Sequence, residues 1–457
     1  MKLATNFQGT IKLNDCERSF DFKDDRLFIH PVKGEEDYLD NLFKLNKEQN
    51  KHEYLIGKTY DNKLVYFIDV IVVKKINRYY AYPKAYTTVS LQTVNWNYND
   101  FCFTKIILKS NAIDSLQNTE YLRIFLQDFI QKESKLSEEK ISKEFEIVEG
   151  KCKLNTGYII DVKDKSSPIS IHTNLEIFLN EKQSIYNVYL LVNKVNEVLK
   201  FLFNRSNIGF SSIQLETEQQ QIQFIGNNSI EHKLLPATMF LINQSNDFEA
   251  RDINQVIEPI LQNFNSLINV VNKDIISYYP KNDEDFYYVD VEKFIKVCGT
   301  FEREFKYCFP DWIEINEPEY THVQKNLLNY LGELDSQFKG INSKMREKIK
   351  SFENTITNMN EKLEKRLNFA FKEFEYCLNP RFEKYCNRAN LHDINPADIF
   401  TCFANKRNKY VHTFNDMEFT KEEIAGYVFV RELIYCMILK QAKFKKEEIE
   451  QMMNIYQ

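Results

Sequence analysis

The apolar residues of this chain change their period near residue 250, and that change limits the fold more than any other feature of the sequence. From residue 5 to about 115, short runs rich in Val, Ile, Tyr, Phe and Thr are broken by Asp-Asn and Asn-Asp turns. Strands are expected at Leu64–Val73, Tyr86–Val94 and Phe101–Leu108, because β-branched and aromatic residues bounded by turn formers suit a pleated, half-buried surface. A short helix is expected at 120–131 and a Lys-, Ser- and Glu-rich linker at 132–144. Further strands follow at Phe145–Val148, Gly157–Val162 and Ile169–His172. Val188, Leu191, Val192, Val195, Val198, Leu199 and Leu202 then mark one face of an amphipathic helix. Ser212–Leu215 and Gln221–Ile225 read as a hairpin.

Beyond residue 250 the spacing becomes helical almost throughout. One helix is expected over Asp252–Asn272, with Pro259 starting or kinking it. Another carries Val291, Phe294, Ile295, Cys298, Phe301 and Phe305 on one stripe. Met345, Ile349, Phe352, Ile356, Met359, Leu363, Arg366 and Ala370 alternate steps of four and three, the 3.5-residue period of a long helical seam over 341–377. That seam packs either within its own bundle or between two copies of the chain. Asn395-Pro396 with Asp398, and Thr420-Lys421-Glu422-Glu423 with its capping-box spacing, mark the starts of the last two long helices. The expected class is therefore α+β. A β-rich region at 1–245, with an internal break at 132–144, precedes a helical domain at 246–457.

At 457 residues the chain is long enough for two or three cores. Its net charge of −6 does not suit a general nucleic-acid coat protein, so contact with RNA would be local. Nine cysteines without a Cys-x-x-Cys pair read as reduced thiols, and the sequence has no apolar run of signal or membrane-span length. A cytoplasmic protein is expected. Eleven glycines, with neither G-x-G-x-x-G nor a Walker A sequence, argue against a Gly-rich nucleotide loop. The seven histidines are scattered, and no His/Cys cluster has metal-ligand spacing, so neither a metal nor a cofactor is expected.

The candidate chemistry lies in Arg407-Asn408-Lys409-Tyr410-Val411-His412. With 13 Arg and seven His in the chain, an Arg five positions before a His arises by chance roughly 0.2 times. Helical phase adds independent weight. Ile399, Phe400, Phe403, Tyr410 and Val411 mark a buried face, and Arg407 falls on it, where a charge must be paired or meet an anion. His412 lies about 140° further around an ideal helix. The two side chains converge only if the helix ends between them or if two copies share the site about a twofold axis. Glu302, on the stripe of its own helix, is a candidate partner for Arg407. Lys406 and Lys409 are candidates for RNA phosphates. His392, four residues after Arg388, offers a second, shorter pairing.

The segment KRNKYVHT, near the end of a helical C-terminal region and before a capped apolar helix, resembles HEPN domains. Their signature is Arg, four to six residues, then His, often with a polar residue after the Arg; Asn408 fills that slot. The order of parts, with FEREF in an early helix of the helical half, is similar to ApeA-type anti-phage defence proteins. The resemblance implies a metal-independent endoribonuclease, with Arg407, His412 and Asn408 as site residues. It also implies a homodimer or higher even oligomer, tRNA as substrate and a phage-derived trigger. A non-catalytic HEPN-like module for dimerisation or for binding RNA or a nucleotide is the alternative.

Overall fold

The computed structural model describes residues 6–31, 50–90, 102–116, 141–160, 169–241, 256–312, 318–357, 362–391, 394–412 and 418–455, apart from short stretches at 14, 62, 76–77, 218–219, 226–227, 234–236, 282–284, 286–287 and 340–341. The fold is α+β, with a β-rich N-terminal region followed by a helical C-terminal region. The expected helix at 120–131 lies outside the described residues. No helix among those described is long and apolar enough to cross a membrane.

Six strands form a closed barrel: β1 (Phe7–Leu13), β2 (Cys16–Lys23), β3 (Arg26–Ile29), β4 (Asn50–Thr59), β5 (Lys63–Lys75) and β6 (Arg78–Tyr82), in the order β4-β1-β2-β3-β6-β5 with β5 returning to β4. Their alternation turns Ile11 and Leu13, Phe20 and Phe22, and Leu27 and Ile29 into one interior. Closure brings β1 and β4 very near: a Cβ on Gly9 would stand 2.0 Å from the Lys58 carbonyl oxygen.

The 13-residue strand β5 serves two structures. Its second half pairs with β6 in the barrel, and its first half pairs with β7 (Ala85–Ser90). Asp69, left-handed at φ 50°, sits where the partner changes, a conformation that Asp tolerates better than most residues. From β7 the sheet continues through β15 (Ala237–Leu241), β12 (Ser212–Glu216), β8 (Cys102–Lys109), β11 (Ile169–Ser184), β10 (Gly150–Ile160) and β9 (Ile141–Ile147).

Two expectations are corrected here. The end of the proposed linker, from Ile141 onward, is strand β9, and the hydrogen-bonded sheet runs across the expected subdomain break. The anticipated hairpin does not form either. β12 pairs with β8 and β15, whereas β13 (Gln220–Ile225) pairs with β14 (Asn228–Lys233). Alternation identifies a strand's faces but not its neighbour.

Helix α1 (Asn111–Ser115) follows β8, and α2 (Ile185–Phe203) starts at Ser184, whose hydroxyl accepts from the Asn187 amide. All seven residues of the predicted α2 stripe are buried. The segment around Pro259 forms two short helices, α3 (Ile257–Gln262) and α4 (Phe264–Val270), and these belong to the β-rich unit. The Phe264 ring lies 5.1 Å from that of Phe145 on β9, and Asn265 accepts from the Val148 amide. The compact units therefore divide after Asn272, with a brief return at 280–282, instead of near 245. Helical periodicity alone assigned this stretch to the helical half, but its apolar side chains cover the sheet.

The second unit begins with α5 (Lys273–Ile276) and α6 (Val291–Cys308). It continues through α7 (Pro318–Gln337), α8 (Ser343–Thr357), α9 (Leu363–Glu373), α10 (Glu375–Ala389), α11 (Pro396–His412), α12 (Lys421–Gln441) and α13 (Lys446–Ile455). Helix α12 is buried on almost every side and forms the centre, with α6 and α11 packed against it. Its buried Glu432 is held by Arg381, whose Nη2 lies 2.6 Å from Oε1. The predicted seam over 341–377 is not one helix. Lys362 is extended (φ −66°, ψ 128°), so Met345 to Ile356 and Leu363 to Ala370 lie on separate helices.

Candidate active site on helix α11

Helix α11 starts where the sequence places it. The Asn395 side chain accepts from the Asp398 amide at 3.0 Å, and the Asp398 carboxylate accepts in return from the Asn395 amide at 3.4 Å. The helix docks through aromatic side chains. Phe403 lies 4.6 Å from Phe294 of α6, and Phe400 lies 5.6 Å from Phe371 of α9, measured between ring centroids. Close approach to α12 depends on Gly426, where an added Cβ would stand 2.8 Å from the Cβ of Phe403. A Cβ cannot rotate out of the way, so glycine is required for this spacing. The motif thus stands on a rigid, packed helix.

Arg407 lies at the edge of the buried face and not within it, with its side chain 37% exposed. Its Nη2 lies 3.2 Å from Oε1 of Glu302, itself 33% exposed, so the acid that the sequence offered only as a candidate partner is the one it meets. Its Nη1 donates to Oδ1 of Asn408 at 3.3 Å. The guanidinium is therefore held from two sides, by a carboxylate on α6 and by the amide of the next residue, while part of it remains open to solvent. Asn408 and Lys409 are both exposed. Beneath the pair, one turn before Glu302, Cys298 is buried. Burial and the Glu302 carboxylate hold its thiol well above the ordinary range, with Arg407 acting weakly in the other direction. It is a packing thiol and not a nucleophile.

Lys406 corrects an expectation. Instead of facing solution to bind phosphate, its side chain is 3% exposed. Its Nζ lies 3.1 Å from Oε2 of Glu423 and donates to the backbone carbonyl of Glu418. It also sits over the rings of Phe419 and Tyr410 at 5.1 and 5.3 Å. The same Glu423 closes the capping box of α12, accepting from the Thr420 amide at 2.9 Å while its own amide donates to the Thr420 hydroxyl. Lys406 thus ties the start of α12 to the motif helix. The signal was present in the spacing: Phe403, Lys406 and Tyr410 are separated by three and four residues, which puts the lysine on the aromatic face.

The backbone of α11 remains helical through His412. Of the two ways of bringing Arg407 and His412 together, an early helix end between them is thereby removed. At 3.6 residues per turn the two positions are about 140° apart around the axis. The side chain of His412 and the residues 413–417 lie outside the described residues, as does His392; Arg388 is exposed in the last turn of α10. No protein-family model, curated protein or solved structure matches this chain.

Proposed function

We propose that the helical unit is a metal-independent endoribonuclease whose site is shared by two copies of the chain. The observation that carries this reading is the half-open Arg407, oriented by Glu302 and Asn408 on a helix that runs unbroken to His412. A twofold axis beside this helix would bring an arginine and a histidine from each copy to one place. There, one imidazole takes the proton from an RNA 2′-hydroxyl as its oxygen attacks the adjacent phosphorus. The bond from phosphorus to the 5′-oxygen breaks, and the second imidazole, in its protonated form, delivers a proton to that leaving oxygen. The guanidinium groups, planar and permanently charged, stabilise negative charge on the phosphoryl oxygens in the transition state. The products are a 2′,3′-cyclic phosphate and a 5′-hydroxyl. The similarity of KRNKYVHT to the HEPN signature supports the assignment, and it alone suggests tRNA as substrate and anti-phage defence as the setting.

A second reading has one observation in its favour. The Glu302 carboxylate already neutralises part of the Arg407 charge, as it would in a binding or dimerisation module with no catalytic role. The two readings are separated by incubating the protein with total RNA in EDTA and mapping the ends. Discrete cuts with 2′,3′-cyclic phosphate ends, abolished in Arg407→Ala and in His412→Ala, are expected of the nuclease. Cleavage that survives in both variants excludes this site.

A further inference from the structure

Helices α7 and α8 form an antiparallel hairpin whose register is set by two contacts. Arg346 grips Asp335 through two bonds of 2.8 Å, and Gln324 donates to the carbonyl of Ile356 at 2.8 Å. The inner seam therefore runs along Gln324, Leu328, Leu331 and Asp335 on one helix and Arg346, Ile349, Glu353 and Ile356 on the other. Among the described residues of the two helices, only Ile349 is buried. About a quarter turn from the seam, Val323, Leu327, Tyr330 and Leu334 form a second apolar stripe on α7. Met345 and Phe352 form its counterpart on α8, on the same side of the hairpin. Leu327, Tyr330 and Phe352 are 46, 59 and 59% exposed. The opposite side is polar, with a shallow groove lined by Glu347, Lys350, Ser351, Asn354 and Thr355. A two-helix layer with one dry face and one wet face leaves the dry face to be covered.

We infer that this face is covered by the same face of a second copy, forming an antiparallel four-helix bundle. Charge selects the occupant and the arrangement. Helix α7 carries three acidic residues and one lysine, and α8 carries four basic and two acidic residues, so with Asp335 and Arg346 paired inside the hairpin the charges left to face a partner are −1 and +1. A twofold axis parallel to the helices lays each α7 on the partner copy's α8, with opposite charges apposed and every neighbouring pair antiparallel. An axis across the helices would instead lay α7 on α7. The hairpin register puts Glu333 level with Lys348, both exposed on the outer rims of the dry face. In the selected arrangement Glu333 of each copy meets Lys348 of the other. The shared helix length of about 22 Å and a width of about two helix diameters give a patch of roughly 450 Å² per copy. Such a patch is at the low end for a specific interface, so the association is reversible.

This contact does not depend on the nuclease reading, since it uses neither Arg407 nor His412. The test is sedimentation of the full chain over a concentration series. The wild type self-associates, and Leu327→Glu/Phe352→Glu yields the next smaller species, with an unchanged circular dichroism spectrum because both positions are exposed. Glu333→Lys and Lys348→Glu each weaken association about tenfold, as like charges replace opposite ones at two symmetry-related places. The double reversal Glu333→Lys/Lys348→Glu restores it. A wild type that stays monomeric, an apolar-face variant that associates like the wild type, or a double reversal that does not recover overturns the inference. RNA cleavage measured on the same variants keeps this outcome separate from that of the nuclease proposal.

Discussion

Replacing Lys406 by Met tests whether the first cation of the motif segment holds structure or RNA. The variant keeps most of the apolar stem and removes only the ammonium group. Its structural role predicts a large effect, because Glu423 is left nearly buried without its cation and the Glu418 carbonyl loses its donor. Breaking one side of a buried pair costs about 3–5 kcal/mol. Here Glu423 keeps the Thr420 amide as a donor, so the expected loss is nearer 2–3 kcal/mol. For a unit of this size each kcal/mol moves the melting temperature by about 2–4 °C, giving a fall of roughly 5–10 °C. Thermal unfolding followed by far-UV circular dichroism reads this directly. Adding Glu423→Gln removes the stranded charge and recovers part of the loss, the coupling expected of residues in one network. A Lys406→Met protein that melts with the wild type while the salt dependence of its RNA binding falls by about one counterion, the signature of a lost phosphate contact, would refute the structural role.

Gly426→Ala should destabilise the helical unit by about 1–3 kcal/mol, read from its urea midpoint, because the new methyl meets the immobile Cβ of Phe403 at 2.8 Å. Arg407→Ala should shift the unfolding free energy by less than about 1 kcal/mol, since its pair with Glu302 is about one-third exposed, while abolishing RNA cleavage; a large loss of stability would identify a structural arginine. Cys298 should resist alkylation in the folded protein and react after unfolding, which mass spectrometry of labelled peptides checks. In the β-rich unit, burial pushes the Cys152 thiol and the Tyr189 hydroxyl up to about 12. Folding therefore favours their neutral forms. Their contribution is fully present below the unfolded values of 9.0 and 10.0 and is lost as pH rises from there through about 12, so unfolding midpoints should fall across that window.

Features that depend on residues within a turn of one another were legible in the chain. The buried stripe of α2, the reciprocal bonds of Asn395 and Asp398, and the capping box of Thr420 and Glu423 appear where spacing alone puts them. The passage from β-rich to helical structure was legible for the same reason, since period two and period 3.6 are local properties. Tertiary structure decided which partner each face meets. It gave β12 to β8 and β15 rather than to β13, turned α3 and α4 onto the sheet, and ended the apparent seam at Lys362. At the candidate site, Arg407 and Asn408 could be singled out from the sequence, and Glu302 could be nominated as a partner, but the ion pair joins positions 105 residues apart. Lys406 carries the same charge as Lys409, yet one is buried and the other exposed. Spacing puts Lys406 one turn before Tyr410 on the aromatic face, but the Glu423 carboxylate and the Phe419 ring that complete its burial are brought to it by the packing of the start of α12 on α11, which no local pattern records.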